Sequence, residues 1–313
     1  MDFAIPASID IGSNTIRLLV ASPTENGIKR LLVKQKVTRL GEGLKPGGSL
    51  STQAKERTLG VLRNFCNEAL ALKAGPILAG ATGAVRETVD GKDFASRVKR
   101  ELGLDVLILT ARQEADLTAA GVLNARPTIS DPALIFDLGG RSTEFILTQD
   151  GHSLTSASLA LGAVSLTEVF FRSDPPTLKE IRALRVEVGA ILCQGLAPML
   201  KDAKPKTLIG TAGTVTTLAA MAQELTIYRP ELVHNFRLTR KDMEGLFRRL
   251  AGLTAAERAL IPGLPEDRAD IIVAGAGVVL ELIRFINTDQ LIVSDAGLLE
   301  GLWLAAAGLR RIL

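Results

Sequence analysis

Short apolar runs closed by glycine open the chain. Residues 7–12 (ASIDIG) and 16–22 (IRLLVAS) each read as strands, and only Ser13-Asn14-Thr15 separates them. That spacing predicts strand, tight turn, strand. A third strand-like run, 28–37, follows a turn at Asn26-Gly27, and the glycine- and proline-rich stretch 41–51 reads as loop. From about 52 to 73, Leu59, Leu62, Phe65, Ala69 and Leu72 recur at helical spacing. There follow a strand at 76–81, a Gly/Ala/Thr loop ending in Arg86, a helix near 91–101, a strand near 105–109 and a helix over about 112–124.

The opening then recurs. Residues 134–147 (LIFDLGGRSTEFIL) align with residues 7–20 (ASIDIGSNTIRLLV), 127 positions apart. Asp10 and Gly12 fall on Asp137 and Gly139, and Arg17 falls on Glu144. Two hairpins with the same Asp-x-Gly turn imply a duplicated unit, with a boundary near residue 121. The second copy continues as a strand at 152–159, a short helix from 164, a long helix over 177–200 and a strand at 206–210. The glycine-rich turn Gly210-Thr211-Ala212-Gly213-Thr214 leads into a helix. A strand and a helix are expected within 271–286, a strand at 290–293, and a last helix over about 297–308. Alternating strands and helices of this kind give α/β domains with mixed sheets.

Composition narrows the function classes. The 313 residues suffice for two domains, each with its own core. Lys+Arg 37 against Asp+Glu 34 leaves a net charge of +3, so no polycationic nucleic-acid footprint stands out. Hydrophobic residues at 47% and charged residues at 23% exclude long disorder. Aromatics at 4% argue against a stacking platform for single-stranded nucleic acid. Cys66 and Cys193 form neither a disulfide framework nor a metal knuckle, and two histidines exclude a multi-histidine zinc site. The mean hydropathy is +0.24, yet the most apolar window, Ile271 to Ile283, is short and contains Glu281. Asp2 stands where a signal peptide would carry Lys or Arg, so a cytoplasmic protein without membrane attachment is expected.

The paired turns carry the first chemistry. A tight Gly/Ser/Asn turn aims successive backbone N–H groups at an anion, phosphate above all. An aspartate two residues before each turn, Asp10 and Asp137, suits Mg²⁺, which takes one or two carboxylates together with water and phosphate oxygens. Glu144, on the strand after the second turn, is either an ordinary exposed-face residue or a second metal carboxylate. Arg86 is either a bidentate phosphate clamp or a surface arginine. Glu114 opens a helix, where acids are favoured by the dipole, and is also a candidate general base. Gly210, Gly213 and Thr214 form a turn that could hold an anion or line a nucleotide-like pocket. Arg237, Arg240, Lys241, Arg248 and Arg249 read as a solvated helix face or a polyanion patch.

These residues sit in segments that resemble one family. SIDIGSNTIRLLVA, VTRLGEGL at 37–44, GATGAVRE at 80–87, ARQEADLTAAGV at 111–122 and FDLGGRSTE at 136–144 are similar to motifs of the exopolyphosphatase/guanosine-pentaphosphate phosphohydrolase family. So are LGAVSLTE at 161–168, IGTAGTVTTLAA at 209–220, RADIIVAGA at 268–276 and SDAGLLEGL at 294–302, all in the family's order. The resemblance implies two duplicated actin-like (ribonuclease H-like) ATPase-superfamily α/β domains with a cleft between them. Residues 1–121 plus a C-terminal helix of about 298–313 would form one, and 122–297 the other.

By the same resemblance Glu114 takes the place of the family's catalytic glutamate. Asp137 and Glu144 match its metal and catalytic-water carboxylates. Ser13 and Asn14, and Gly139, Gly140, Arg141 and Ser142, match its two phosphate loops, and Arg86 its phosphate-binding arginine. Arg141 departs from the pattern, replacing a usual third glycine; it either adds a phosphate clamp or restricts backbone approach. Gln113-Glu114 replaces the usual Glu-Glu pair. The C-terminal helical domains of longer members are not expected here.

The expected activity is hydrolysis of the terminal phosphate of inorganic polyphosphate, guanosine penta/tetraphosphate, or both, with Mg²⁺ or another divalent cation as cofactor and a homodimer as assembly. One other class remains open, an alarmone- or polyphosphate-binding regulator with little turnover; a sugar or acetate kinase of the same superfamily is disfavoured, because a kinase has no need of a water-activating Glu114.

Overall fold

The computed structural model describes residues 5–24, 27–45, 47–125, 129, 132–310 and 312. Asn26, half of the first expected hairpin turn, lies outside them. The chain begins with β1 (Ile5–Ile11), β2 (Thr15–Thr24) and β3 (Gly27–Val37), then α1 (Thr52–Ala71), β4 (Ala74–Ala81) and a single helical turn, α2 (Gly83–Arg86). Next come α3 (Gly91–Leu102), β5 (Val106–Ile108) and α4 (Ala111–Ala125). The sheet order is β3-β2-β1-β4-β5, with β1, β4 and β5 parallel and β2 antiparallel to both its neighbours.

The second run is β6 (Ala133–Leu138), β7 (Thr143–Gln149), β8 (His152–Leu159), α5 (Ala163–Phe170), α6 (Leu178–Ile191) and α7 (Ala197–Met199). It continues through β9 (Thr207–Thr211), α8 (Ala212–Ala222), α9 (Pro230–Val233), β10 (Arg237–Thr239), α10 (Arg240–Ala251), α11 (Ala255–Arg258), α12 (Ile272–Ile286) and β11 (Gln290–Val293). Its sheet order is β10-β11-β9-β6-β7-β8. Read from the other edge, β8-β7-β6-β9-β11 repeats the order of the first sheet, and β10 is an antiparallel addition. The last helix, α13 (Leu298–Ala306), rejoins the first part. The chain divides into one compact unit of Met1–Pro127 with Gly297–Leu313 and a second of Thr128–Ala296.

In the first unit β1 and most of β2 are buried on both faces because helices cover both. Ile9, Ile11, Ile16, Leu18 and Val20 pack with α1 and α3. Leu19 and Ala21 pack on the opposite face against Trp303 of α13 and Ala120 of α4. Trp303 Nε1 donates to the carbonyls of Pro6 and Ala21, each at 3.1 Å, so its buried N–H is satisfied. The crossing of α4 on α13 is backbone-close. A Cβ at Gly301 would lie 1.9 Å from the Leu117 carbonyl oxygen, so only glycine fits. That contact seats α4, whose first turn carries Glu114.

The second core fills the space between one face of its sheet and helices α5, α6, α8, α10 and α12. Phe136 and Phe145 stack across β6 and β7 with ring centroids 6.4 Å apart. Two sequence expectations change here. The expected strand within 271–286 is absent, and α12 occupies Ile272–Ile286 as one helix. Its residues are buried nearly all round, which hides the helical period. The expected long helix over 177–200 breaks into a π-helical turn at Leu192–Leu196. There a Cβ on Gly195 would lie 2.3 Å from Leu159 of β8. No described helix is long and apolar enough to cross a membrane.

Candidate functional site

Each unit ends its first hairpin in the same turn. Gly12 N–H donates to the Thr15 carbonyl at 3.1 Å, and Gly139 N–H to the Ser142 carbonyl at 3.0 Å. A Cβ at Gly12 would meet Thr15 O at 2.9 Å and one at Gly139 would meet Ser142 O at 3.1 Å, which explains the glycine of each Asp-x-Gly. Both turns are braced from behind through their carbonyls. Thr38 and Arg39 N–H donate to Asn14 O, each at 2.9 Å, and Gly41 N–H to Ser13 O at 2.8 Å. In the second unit, Ala163 N–H donates to Gly139 O at 3.0 Å, and Val164 and Ser165 N–H donate to Gly140 O at 2.8 and 3.1 Å. With carbonyls held this way, each turn presents its N–H edge, the arrangement that receives an anion.

Arg141 sits in this second turn. Its backbone lies outside the left-handed region, so an L side chain costs nothing there. Its carbonyl accepts from Ser165 Oγ at 3.2 Å, and its Nε is buried, so the side chain lies along the protein.

The tight turns set the register of the residues around them. Asp10 stands opposite Arg17, and Asp137 stands opposite Glu144. Arg17 Nη2 and Nε reach Asp10 Oδ2 at 2.7 and 3.1 Å. In the second unit the same geometry brings two carboxylates to one face. Glu144 is 2% exposed, and its Oε1 accepts from Ser142 Oγ at 2.7 Å and Ser158 Oγ at 2.9 Å. Like charges directly opposite each other on a sheet are destabilising unless something offsets them. Among the described residues no cluster of three or more His, Cys, Asp or Glu is placed to hold a metal. A cation at Asp137 and Glu144 would therefore take two carboxylates and complete its shell with water and phosphate oxygens. That donor set suits Mg²⁺.

Arg86 and Glu114, distant in sequence, come together in the first unit. Arg86 Nη1 donates to Glu114 Oε2 at 2.6 Å and to the Leu109 carbonyl at 3.0 Å. Glu114 is 8% exposed. Arg86 belongs to the single turn α2, not to the loop expected from sequence. The first hairpin turn holds that segment, since Ala84 N–H donates to Ser13 Oγ at 3.1 Å.

In the second unit Gly210, Gly213 and Thr214 form the strand-to-helix turn into α8. The β9 end is fixed by Ser294 N–H donating to Gly210 O at 2.8 Å and by Thr211 Oγ1 donating to Ala296 O at 2.9 Å. Ala212 adopts φ +71°, a left-handed backbone that an L residue disfavours. Replacing it with glycine is expected to stabilise the protein by about 1 kcal/mol, read as a raised midpoint in thermal or urea unfolding. An unchanged or lowered midpoint would deny the strain.

The structure adds two residues to this list. Arg17 could have been found from the repeat alone, since a two-residue turn places positions 10 and 17 opposite each other. Arg268, 8% exposed, lays its guanidinium where a Gly213 Cβ would come within 2.2 Å of Nη2. No local pattern announces it, because Arg268 lies 55 positions beyond Gly213. The basic stretch divides: Arg237 lies on β10, while Lys241, Arg248 and Arg249 lie on α10.

Two mixed α/β units of one strand order, each closing its first hairpin on an Asp-x-Gly turn, define the duplicated actin-like ATPase fold. A type IV pilus PilM–PilN complex structure shares that fold at 14% identity, with TM-score 0.50 over 88% of this chain and 99% of its own. The model of the Ppx/GppA phosphatase family matches residues 19–308, and the chain belongs to this family. Exopolyphosphatase 2 of Mycobacterium tuberculosis is 33% identical over 96% of this chain and 98% of its own length. The crystal structure of the Aquifex aeolicus Ppx/GppA family member is 32% identical, with TM-score 0.83 over 96% of this chain and 97% of its own. An exopolyphosphatase structure from Cytophaga hutchinsonii is 27% identical, with TM-score 0.89 over 97% and 98%.

Proposed function

We propose that this protein is a cytoplasmic phosphoanhydride hydrolase that releases the terminal phosphate of inorganic polyphosphate, guanosine pentaphosphate, or both. The reading rests on the family, on relatives named exopolyphosphatases, and above all on the Arg86–Glu114 pair at 2.6 Å. The guanidinium fixes the orientation of the carboxylate, as a general base requires. Water attacks the terminal phosphorus in line while Glu114 takes its proton. The new P–O bond forms as the bridging P–O bond breaks, and the shortened chain leaves with the bridging oxygen. In the first unit Arg86 and the N–H groups of the turn at 12–15 are offered to phosphoryl oxygens, and in the second unit so are the N–H groups of the turn at 139–142. Asp137 and Glu144 would hold Mg²⁺, which when bound offsets the charge that develops on those oxygens. Positioning and electrostatics supply nearly all the catalysis in such a transfer.

Arg141 adds a fixed positive charge to the second turn. A hydrogen bond to a charged group contributes about 1.5–3 kcal/mol, so Arg141→Gly is expected to raise KM roughly ten-fold or more and to weaken inhibition by salt. An unchanged KM and salt dependence would remove Arg141 from substrate binding. Side-by-side kcat/KM values for polyphosphate and guanosine pentaphosphate divide the two substrates. Tight binding of either without phosphate release would instead make the protein a regulator.

A further inference from the structure

The first turn of α4 is closed by an exchange of hydrogen bonds between Thr110 and Gln113. Thr110 N–H donates to Gln113 Oε1 at 3.0 Å, and Gln113 N–H donates to Thr110 Oγ1 at 3.2 Å. The same threonine box opens three other helices among the described residues: Thr177 with Glu180 at α6, Thr239 with Asp242 at α10 and Thr254 with Glu257 at α11. Each of those uses an acid, which the positive end of a helix stabilises. The box beside Glu114 uses an amide instead. It forgoes that stabilisation, and a local rule broken without local gain marks a functional constraint.

The bonds around the box show what is constrained. The N–H that Gln113 accepts and the carbonyl that Arg86 reaches belong to one peptide group, Leu109–Thr110. Arg86 Nη1 donates to that carbonyl at 3.0 Å and to Glu114 Oε2 at 2.6 Å. The next carbonyl, of Thr110, accepts from Glu114 N–H at 2.9 Å. Two consecutive peptide groups therefore tie Gln113, Arg86 and Glu114 into one frame. Two carboxylates already flank the guanidinium, Glu114 at 2.6 Å and Glu87 at 3.9 Å. Asp116, the next acid of α4, is paired with Arg112 at 2.8 Å.

We infer that Gln113 is a positioning residue for Arg86, and that its neutrality lets Arg86 hold a polyanionic substrate. The inference rests on the reading of Arg86 as a phosphate-binding residue. Through the Leu109–Thr110 peptide the amide fixes the guanidinium as well as a carboxylate in its place would. Unlike a carboxylate, it adds no negative charge to a guanidinium that two acids already flank. The repulsion it avoids grows with the charge of the ligand, so a chain of phosphates gains most from it.

The test is the affinity of the full chain for tripolyphosphate in EDTA, measured by calorimetry at low and at high salt. Gln113→Glu keeps both hydrogen bonds of the box and adds one charge. It is expected to unfold at the wild-type temperature or above it, yet to bind roughly five-fold more weakly at low salt. That gap is expected to close as salt screens the charge. Gln113→Ala removes the brace and adds no charge. It is expected to unfold at a lower temperature and to weaken binding by a ratio to wild type that salt leaves unchanged. Equal affinities of Gln113→Glu and wild type, or a gap indifferent to salt, would overturn the inference. So would a Gln113→Ala chain that binds as the wild type does. A wild type that binds tripolyphosphate but releases no phosphate when Mg²⁺ is added would overturn the hydrolase reading alone. One that does not bind it would overturn the phosphate reading of Arg86, and the inference with it.

Discussion

Glu114→Gln is expected to lose about 10²–10⁴-fold in kcat, the usual contribution of general-base catalysis, while KM changes little. The glutamine keeps the size of the side chain and its bond to Arg86, since its carbonyl oxygen can still accept from Nη1. What disappears is the ability to take a proton from water. The kcat-against-KM split separates this role from a structural one. Glu114 is buried, and losing its ion pair with Arg86 would loosen the α2 segment that Ser13 also holds. A merely structural Glu114 would therefore raise KM and lower the unfolding midpoint. Steady-state rates on polyphosphate, with thermal unfolding as the control, decide the matter; wild-type turnover would remove Glu114 from the mechanism.

Asp137→Asn is expected to lose roughly 10²-fold or more in kcat/KM and to shift the Mg²⁺ dependence to higher concentration. Of the two facing carboxylates, Glu144 is fixed by two serine hydroxyls, so removing the Asp137 charge leaves a site with one fixed acid. Excess EDTA should silence the wild type, and added Mg²⁺ should restore it. The same variant is expected to fold at least as well as the wild type in EDTA, because it relieves a like-charge pairing across β6 and β7. Full activity in EDTA would remove the metal from the account.

The hairpins were legible because their signal is local: an apolar strand, Asp-x-Gly, and a second apolar strand within 14 residues, written twice. The same local rule gave the register that sets Asp137 against Glu144. Arg86 and Glu114 were each ambiguous in sequence because their meaning is a contact across 28 positions, made by α2 and α4. Arg268 was invisible for the same reason. The helix α12 was misread in part because its burial leaves no polar face to mark the period. The long helix breaks after Ile191 just ahead of Pro198, which has no N–H to continue the i→i−4 ladder, a local signal that the apolar periodicity alone hides. Local chemistry wrote the turns; long-range packing chose which side chains they meet.

Phosphate release from polyphosphate by the full chain, run with Mg²⁺ in ¹⁸O-enriched water, tests the hydrolase reading most directly. Steady multiple-turnover release is expected, with one ¹⁸O atom in each orthophosphate formed, because water is the nucleophile and the bridging oxygen leaves with the chain. Binding without release, or label-free phosphoryl transfer to an added acceptor, would contradict it.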